Sequence, residues 1–338
     1  MPPPLPLPAP KATGALPVAS RRNFVHATLA GAGLGLGSLL SGLAGCLPAS
    51  QASRQPDLLW GRRGLSAGRL MKPRAMALDA EDQLHIVDIT GRIQVFDPEG
   101  NYLRGWRTPE ITQGKPTGLG FARDGTLLVA DTHYFRVLFY SAQGELDTQR
   151  TIGGEHGDGP GQFHFVTDVA EDPRGHFFVG QYGQIDRIQE FDPAGKFIRA
   201  WGSQGSQPGQ FSRPQALLFD SAGLLWIADA CNHRIQVYDV QGANPQRVAC
   251  WGTPGSEVGQ LQYPYGLDFD RDGTLLVAEF GNHRIQRFSP QGEGLEAWGQ
   301  VGSAAGLLHS PWALGLDSQR RLHVLDTMNH RVQRFPLA

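Results

Sequence analysis

Asn232-His233-Arg234-Ile235-Gln236, Asn282-His283-Arg284-Ile285-Gln286 and Asn329-His330-Arg331-Val332-Gln333 are three copies of one motif, with their arginines 50 and 47 positions apart. Stepping back along the chain finds weaker copies at Arg187-Ile188-Gln189, Arg136-Val137-Leu138 and Arg92-Ile93-Gln94. Six arginines at intervals of 44 to 51 residues therefore run through the chain. Other landmarks keep phase with them. An acid stands four or five positions before five of the arginines (Asp88, Asp131, Asp229, Glu279, Asp326). Pro73, Pro116, Pro214, Pro264 and Pro311 open units, and Trp60, Trp106, Trp201, Trp251 and Trp298 close them. Self-similarity at a period of 40–50 residues is the mark of a repeat architecture.

Each unit carries four short apolar runs separated by turn residues. In the fifth they read Tyr265–Asp270, Thr274–Glu279, Arg284–Phe288 and Gly294–Trp298, with Arg271-Asp272-Gly273 as the first turn. Apolar runs of four to six residues broken by Asp-Gly are hairpin signals. The composition agrees, with 44 Gly and 24 Pro among 338 residues and enough hydrophobic residues (40%) for a core. Four antiparallel strands repeated six times predict an all-β, six-bladed β-propeller. The chain ends on a third strand at Arg331–Phe335, and Leu58–Gly61 has the Trp-Gly of a fourth strand. Pairing the two would close the ring and remove its open edges.

The Asn-His-Arg-Ile-Gln motif resembles that of the NHL-repeat family, and the resemblance covers residues 58–338. It implies a six-bladed propeller. Among NHL-type propellers, peptidyl-hydroxyglycine lyase holds zinc on channel histidines, and its characteristic His after the opening Pro has no match here. Lactonase-type propellers present acids and amides to calcium. This chain offers Asp168 and Asp268 on inner strands.

The acid and Arg flank a tight turn, where a guanidinium can bridge a carboxylate. Repetition in five units makes the pairs Asp88–Arg92, Asp131–Arg136, Asp229–Arg234, Glu279–Arg284 and Asp326–Arg331 structural braces, since an active site needs asymmetry at one place. His233, His283 and His330 are spread over three blades and do not read as metal ligands. His85 and His323 occupy second-strand positions filled elsewhere by Leu128, Phe178, Trp226 and Leu276, and so read as packed rings. Cys231 and Cys250 fall on either side of one third strand.

The position after each opening Pro should lie at the mouth of the central channel, where propellers bind ligands by fold-level analogy. Around the ring it holds Arg74, Thr117, Thr167, Gln215, Tyr265 and Trp312, a variety that repetition does not require. Together with Asp168 these are the candidate ligand-binding residues. Blade three is irregular: Val166 replaces its Pro, Gln181 its acid, and Asp168 a small inner-strand residue. Its incoming loop, 153–161, holds Glu155, His156 and Asp158, with His164 close behind, a loose set of donors for calcium or zinc. No cofactor and no catalytic residue is predicted.

Before the propeller, Arg21-Arg22 precede a charge-free, Gly-rich run from Val25 to Gly45, and Leu43-Ala44-Gly45-Cys46 follows. These resemble a twin-arginine export signal and a lipoprotein box. Residues 1–45 are read as the signal, Cys46 as the lipidation site, and 46–57 as a linker. Cleavage would remove Lys11, Arg21 and Arg22 and no acid, leaving 27 basic and 32 acidic side chains, a net charge of −5. That charge lacks the basic footprint of nucleic-acid binding. The expectation is an exported, monomeric propeller, lipid-anchored at a membrane or in the periplasm. It would bind a protein or small-molecule ligand at the channel mouth. The alternative is a metal-dependent lyase or hydrolase.

Overall fold

The computed structural model describes residues 50–51 and 54–337. Arg21, Arg22 and Cys46 lie outside the described residues. From Leu58 onward the chain forms six antiparallel sheets of four strands, arranged as the blades of a propeller. Blade one runs Pro73–Leu78, Leu84–Asp88, Arg92–Phe96 and Tyr102–Arg107, from the innermost strand outward. The other innermost strands are Gly118–Phe121, Phe165–Glu171, Pro214–Phe219, Pro264–Phe269 and Leu314–Leu316.

Closure follows the expected route. Leu58–Trp60 pairs antiparallel with Arg331–Pro336, placing Trp60 opposite Val332 as the outer strand of blade six. Ahead of it, Ser50–Gln51 adds as a short parallel strand to the outer edge of blade five. Arg54 then donates two hydrogen bonds of 2.8 Å to Glu296. Part of the segment expected to be a linker is thus stitched to the ring.

The core is distributed. Six apolar clusters each span one pair of neighbouring blades: Val137, Phe139 and Phe163 meet Phe177 and Val179 between blades two and three. Met76, Ile86 and Phe96 meet Leu325 and Val332 between blades one and six, so the sandwich is complete around the ring. Second strands are covered on both faces and read as continuous apolar runs, as in Leu127–Asp131, where every residue is buried. Trp60, Trp106 and Trp251 each lie over a glycine turn of the following blade, at Gly100, Gly144 and Gly292. A Cβ at Gly292, whose φ is +88°, would stand 2.5 Å from the Trp251 ring.

Turns between strands use aspartates that accept backbone amides. Asp220 Oδ1 takes the amides of Ala222 and Leu224, both at 2.9 Å, and the same device recurs at Asp79, Asp172 and Asp317. The free carboxylate oxygen then binds the second strand. Trp226 Nε1 donates to Asp220 at 2.9 Å, while His85 and His323 reach Asp79 and Asp317 at 3.0 and 3.1 Å. Both histidines are wholly buried, so they are packing residues with one satisfied edge.

Candidate functional site

The central channel has a cavity of about 420 Å³ lined by the six innermost strands. Its lining includes Arg74, Thr117, Asp168, Gln215, Tyr265 and Trp312. Local strand geometry explains how several reach it. In blades one, four and five, pairing with the second strand skips the residue after the opening Pro, so Arg74, Gln215 and Tyr265 are the extra residues of β-bulges. A bulge re-aims its side chain. In blade three the same one-residue excess falls between Val166 and Val169. Thr167, expected at the mouth, is instead fully buried, and its hydroxyl donates to the Pro214 carbonyl at 2.5 Å. Asp168 lines the channel where the other blades place Ala75, Gly118, Ala216, Gly266 and Ala313.

Two carboxylates stand on the channel wall. Asp168 Oδ2 accepts the Leu217 amide of blade four at 2.9 Å, and Asp268 Oδ2 accepts the Leu316 amide of blade six at 2.7 Å. Each ties its inner strand to the next blade. Burial disfavours their charged forms and outweighs those amide bonds, pushing Asp168 up to about 7 and Asp268 up to about 6.

The mouth also gathers side chains that the sequence pattern did not single out. Arg213, which precedes Pro214, has a left-handed backbone (φ 58°) and donates from Nε to Gln215 Oε1 at 2.9 Å. Its guanidinium lies 4.8 Å from the Tyr182 ring and 5.3 Å from the Tyr265 ring. Tyr265 stacks on Phe280 at 4.7 Å and meets Trp312 edge-on at 4.9 Å. Arg74 lies 5.7 Å over Trp312. The chain of contacts Arg74–Trp312–Tyr265–Arg213–Tyr182 thus passes through blades one, six, five, four and three. Burial lowers the Arg74 pKa, Tyr182 counters this, and Arg213 adds to it.

The braces are built as pairs, with Arg-to-carboxylate distances of 2.6 Å in Asp88–Arg92, 2.9 Å in Asp131–Arg136, 2.7 Å in Asp229–Arg234, 2.5 Å in Glu279–Arg284 and 2.6 Å in Asp326–Arg331. The rest of the motif serves the same interblade loop. Arg234 Nη2 and Gln236 Nε2 both donate to the Gln210 carbonyl at 2.8 Å, and Asn232 Nδ2 donates to the Gly205 carbonyl at 2.8 Å. Blade two has Tyr134 and Leu138 in place of Asn and Gln. Its Asp131 Oδ1 is left without a partner, and burial pushes this acid up to about 6 despite Arg136.

His233, His283 and His330 have left-handed backbones, with φ 55°, 56° and 58°. Each Nδ1 accepts a backbone amide from the next blade: Tyr263 at 3.1 Å, Ser310 at 2.9 Å and Lys72 at 2.9 Å. Blade three substitutes Asp186, whose Oδ2 accepts the Arg213 amide at 2.6 Å. The irregular blade therefore keeps the latch with different chemistry and uses it to hold Arg213.

In the blade-three loop, His164 Nε2 lies 2.7 Å from Asp158 Oδ1, and His156 packs edge-on against His164. Glu155 is engaged by Gln162. Among the described residues, no three His, Cys, Asp or Glu side chains are grouped to hold a metal ion. The channel wall thus fits neither a zinc held by histidines nor a calcium held by several acids. Cys231 and Cys250 are free thiols.

The sequence model of the family described as "SMP-30/Gluconolactonase/LRE-like region" matches residues 76–302. A stretch of 137 residues is 36% identical to peptidyl-glycine alpha-amidating monooxygenase A of Xenopus laevis, covering 38% of this chain and 14% of that protein. NHL repeat-containing protein 3 of Mus musculus is 26% identical over 159 residues, 44% of this chain and 45% of that protein. The chain spans less than half the length of either relative. The solved streptogramin B lyase structure superposes with a TM-score of 0.56 at 15% identity, over 82% of this chain and 86% of that one. At that identity the likeness is one of fold.

Proposed function

We propose, for a chain that belongs to the SMP-30/gluconolactonase/LRE-like family, an exported, lipid-anchored, monomeric propeller that binds a protein segment or small polar ligand at its channel mouth. One observation carries the binding reading: the blades repeat their braces, latches and packing, and diverge where their bulged residues meet the channel. Arg74, Gln215 and Tyr265 are aimed inward by the same backbone device and share no side-chain chemistry. A wall that needed only filling would repeat its residues as the second strands do. The cavity of about 420 Å³ falls within the range of small-molecule sites.

Export and anchoring rest on Arg21-Arg22 and Leu43-Ala44-Gly45-Cys46. Several acyl chains on one cysteine would hold the protein stably, which a single chain would not. Cells fed labelled palmitate should incorporate it into the wild-type protein and not into Cys46→Ala. A labelled Cys46→Ala protein rejects the anchor.

The binding test uses the mature chain as bait for extracytoplasmic proteins and metabolites. Arg74→Ala combined with Trp312→Ala should lose what the wild type retains while keeping the same far-UV circular dichroism. Undiminished capture by the double variant moves the site away from the mouth.

A further inference from the structure

Arg74 and Arg213 stand at one channel mouth, half-buried, and among the described residues neither forms an ion pair with a carboxylate. The brace arginines, by contrast, all meet an acid at 2.9 Å or less. Withdrawing a guanidinium from water is costly unless something compensates it. Here aromatic faces supply part of that compensation. Trp312 lies under Arg74, and Tyr182 and Tyr265 flank Arg213. Stacking engages the plane of a guanidinium and leaves its in-plane N–H groups free to donate.

The nearby acids are otherwise engaged. Asp186 spends its two oxygens on the backbone amides of Gly183 and Arg213, at 3.0 and 2.6 Å. Asp168 is tied to Leu217 across the blade interface. Of the Arg213 side-chain donors, Nε is taken by Gln215. The mouth therefore combines two cations with the rings of Tyr265 and Trp312, and no anion is paired to the guanidiniums.

We propose that this mouth binds a small organic anion with a flat apolar body, the anionic head between Arg74 and Arg213 and the body against Tyr265 and Trp312. The inference rests on the reading of the mouth as a binding site and adds the ligand's chemical class. A carboxylate and a phosphate share the required chemistry, and both can accept paired hydrogen bonds from guanidinium.

Titration calorimetry of the mature chain with benzoate, phenyl phosphate and neutral benzamide tests it. At least one anion should bind, benzamide should bind about tenfold more weakly or not at all, and added salt should weaken the anion. The stronger anion identifies the head group. Arg74→Gln and Arg213→Gln, which keep most of the side-chain length, should each weaken it about tenfold or more. Arg150→Gln, on the outer strand of blade two, should leave it unchanged. Three results overturn the proposal: no binding of either anion, benzamide binding as tightly as benzoate, or both mouth variants retaining wild-type affinity. Failure here with continued loss of capture in the Arg74→Ala, Trp312→Ala double variant would leave the binding site standing and remove only the anion.

Discussion

The histidine of each Asn-His-Arg turn acts as a hydrogen-bond acceptor. Its backbone sits at φ of 55–58°, a region where Asn, Asp and His are enriched among non-glycine residues. Its Nδ1 takes the amide of the residue before the next blade's opening Pro. A protonated ring cannot accept that bond. Burial lowers the pKa of His233, His283 and His330, with nearby acids opposing it in each case. Because the folded pKa lies below the unfolded value of about 6.5, the latches contribute fully above that pH and lose their contribution as pH falls below it. Asp168 and Asp268, with raised pKa values, act in the opposite sense over part of this range. The informative quantity is therefore a difference between proteins. Replacing all three histidines with Asn, which tolerates the same φ and offers an Oδ1 acceptor as Asp186 does, should leave stability at pH 7.5 within about 1 kcal/mol per latch of the wild type. It should also flatten the loss between pH 6.5 and 5, read from urea midpoints. An unchanged acid slope would show that the rings do not titrate as latches.

At the scale of the blade, what could be read from the sequence was what the fold demands repeatedly. Arg234, Gln236 and Asn232 stand at fixed spacing because all three hold the same interblade loop, through the carbonyls of Gln210 and Gly205. Arg and Gln grip the loop in five of the six blades, blade two being the exception, so the motif announces itself. The mouth is legible only in part. Arg74, Gln215 and Tyr265 could be found because a bulge follows each opening Pro, but in blade three, with the same register, Thr167 is buried against the Pro214 carbonyl and leaves the channel to Asp168. Nothing in Val166-Thr167-Asp168 marks the burial of Thr167, because its partner is a carbonyl of the next blade, 47 residues on. Arg213 and Tyr182 were hidden for a related reason. The equivalent positions elsewhere hold residues as different as Ser310 and Lys72, or Ala230 and Ile89, and only closure of the ring brings the two side chains to one rim. Asp186 shows the converse: it keeps the latch of the Asn-His-Arg turn although Ile185 and Asp186 replace the Asn and His of the motif.

At the scale of the molecule, one contact distant in sequence carries the ring. Leu58–Trp60 supplies the outer strand of blade six, and Trp60 packs 4.7 Å from Phe96 of blade one, so the segment joins a strand pairing to an interblade sandwich. Arg334 reinforces it with two 3.0 Å bonds to Asp57. A chain beginning at Gly61 would leave the edge of Arg331–Pro336 unpaired, and an exposed edge strand is a template for other chains. A chain beginning at Pro56 keeps the closing strand and gives up the short Ser50–Gln51 pairing and the contacts of Arg54, whose pair with Glu296 is worth about 1 kcal/mol or less. Trp251→Ala should cost about 3–5 kcal/mol through lost packing inside a ring that stays closed. Size-exclusion chromatography with light scattering should therefore find the Gly61 chain associating with concentration. The Pro56 chain should behave like the full ring, and Trp251→Ala should be less stable with its mass unchanged. A Gly61 chain with the mass and urea midpoint of the Pro56 chain would mean that the other interblade sandwiches hold the propeller shut, and that the closing strand contributes no more than any other outer strand.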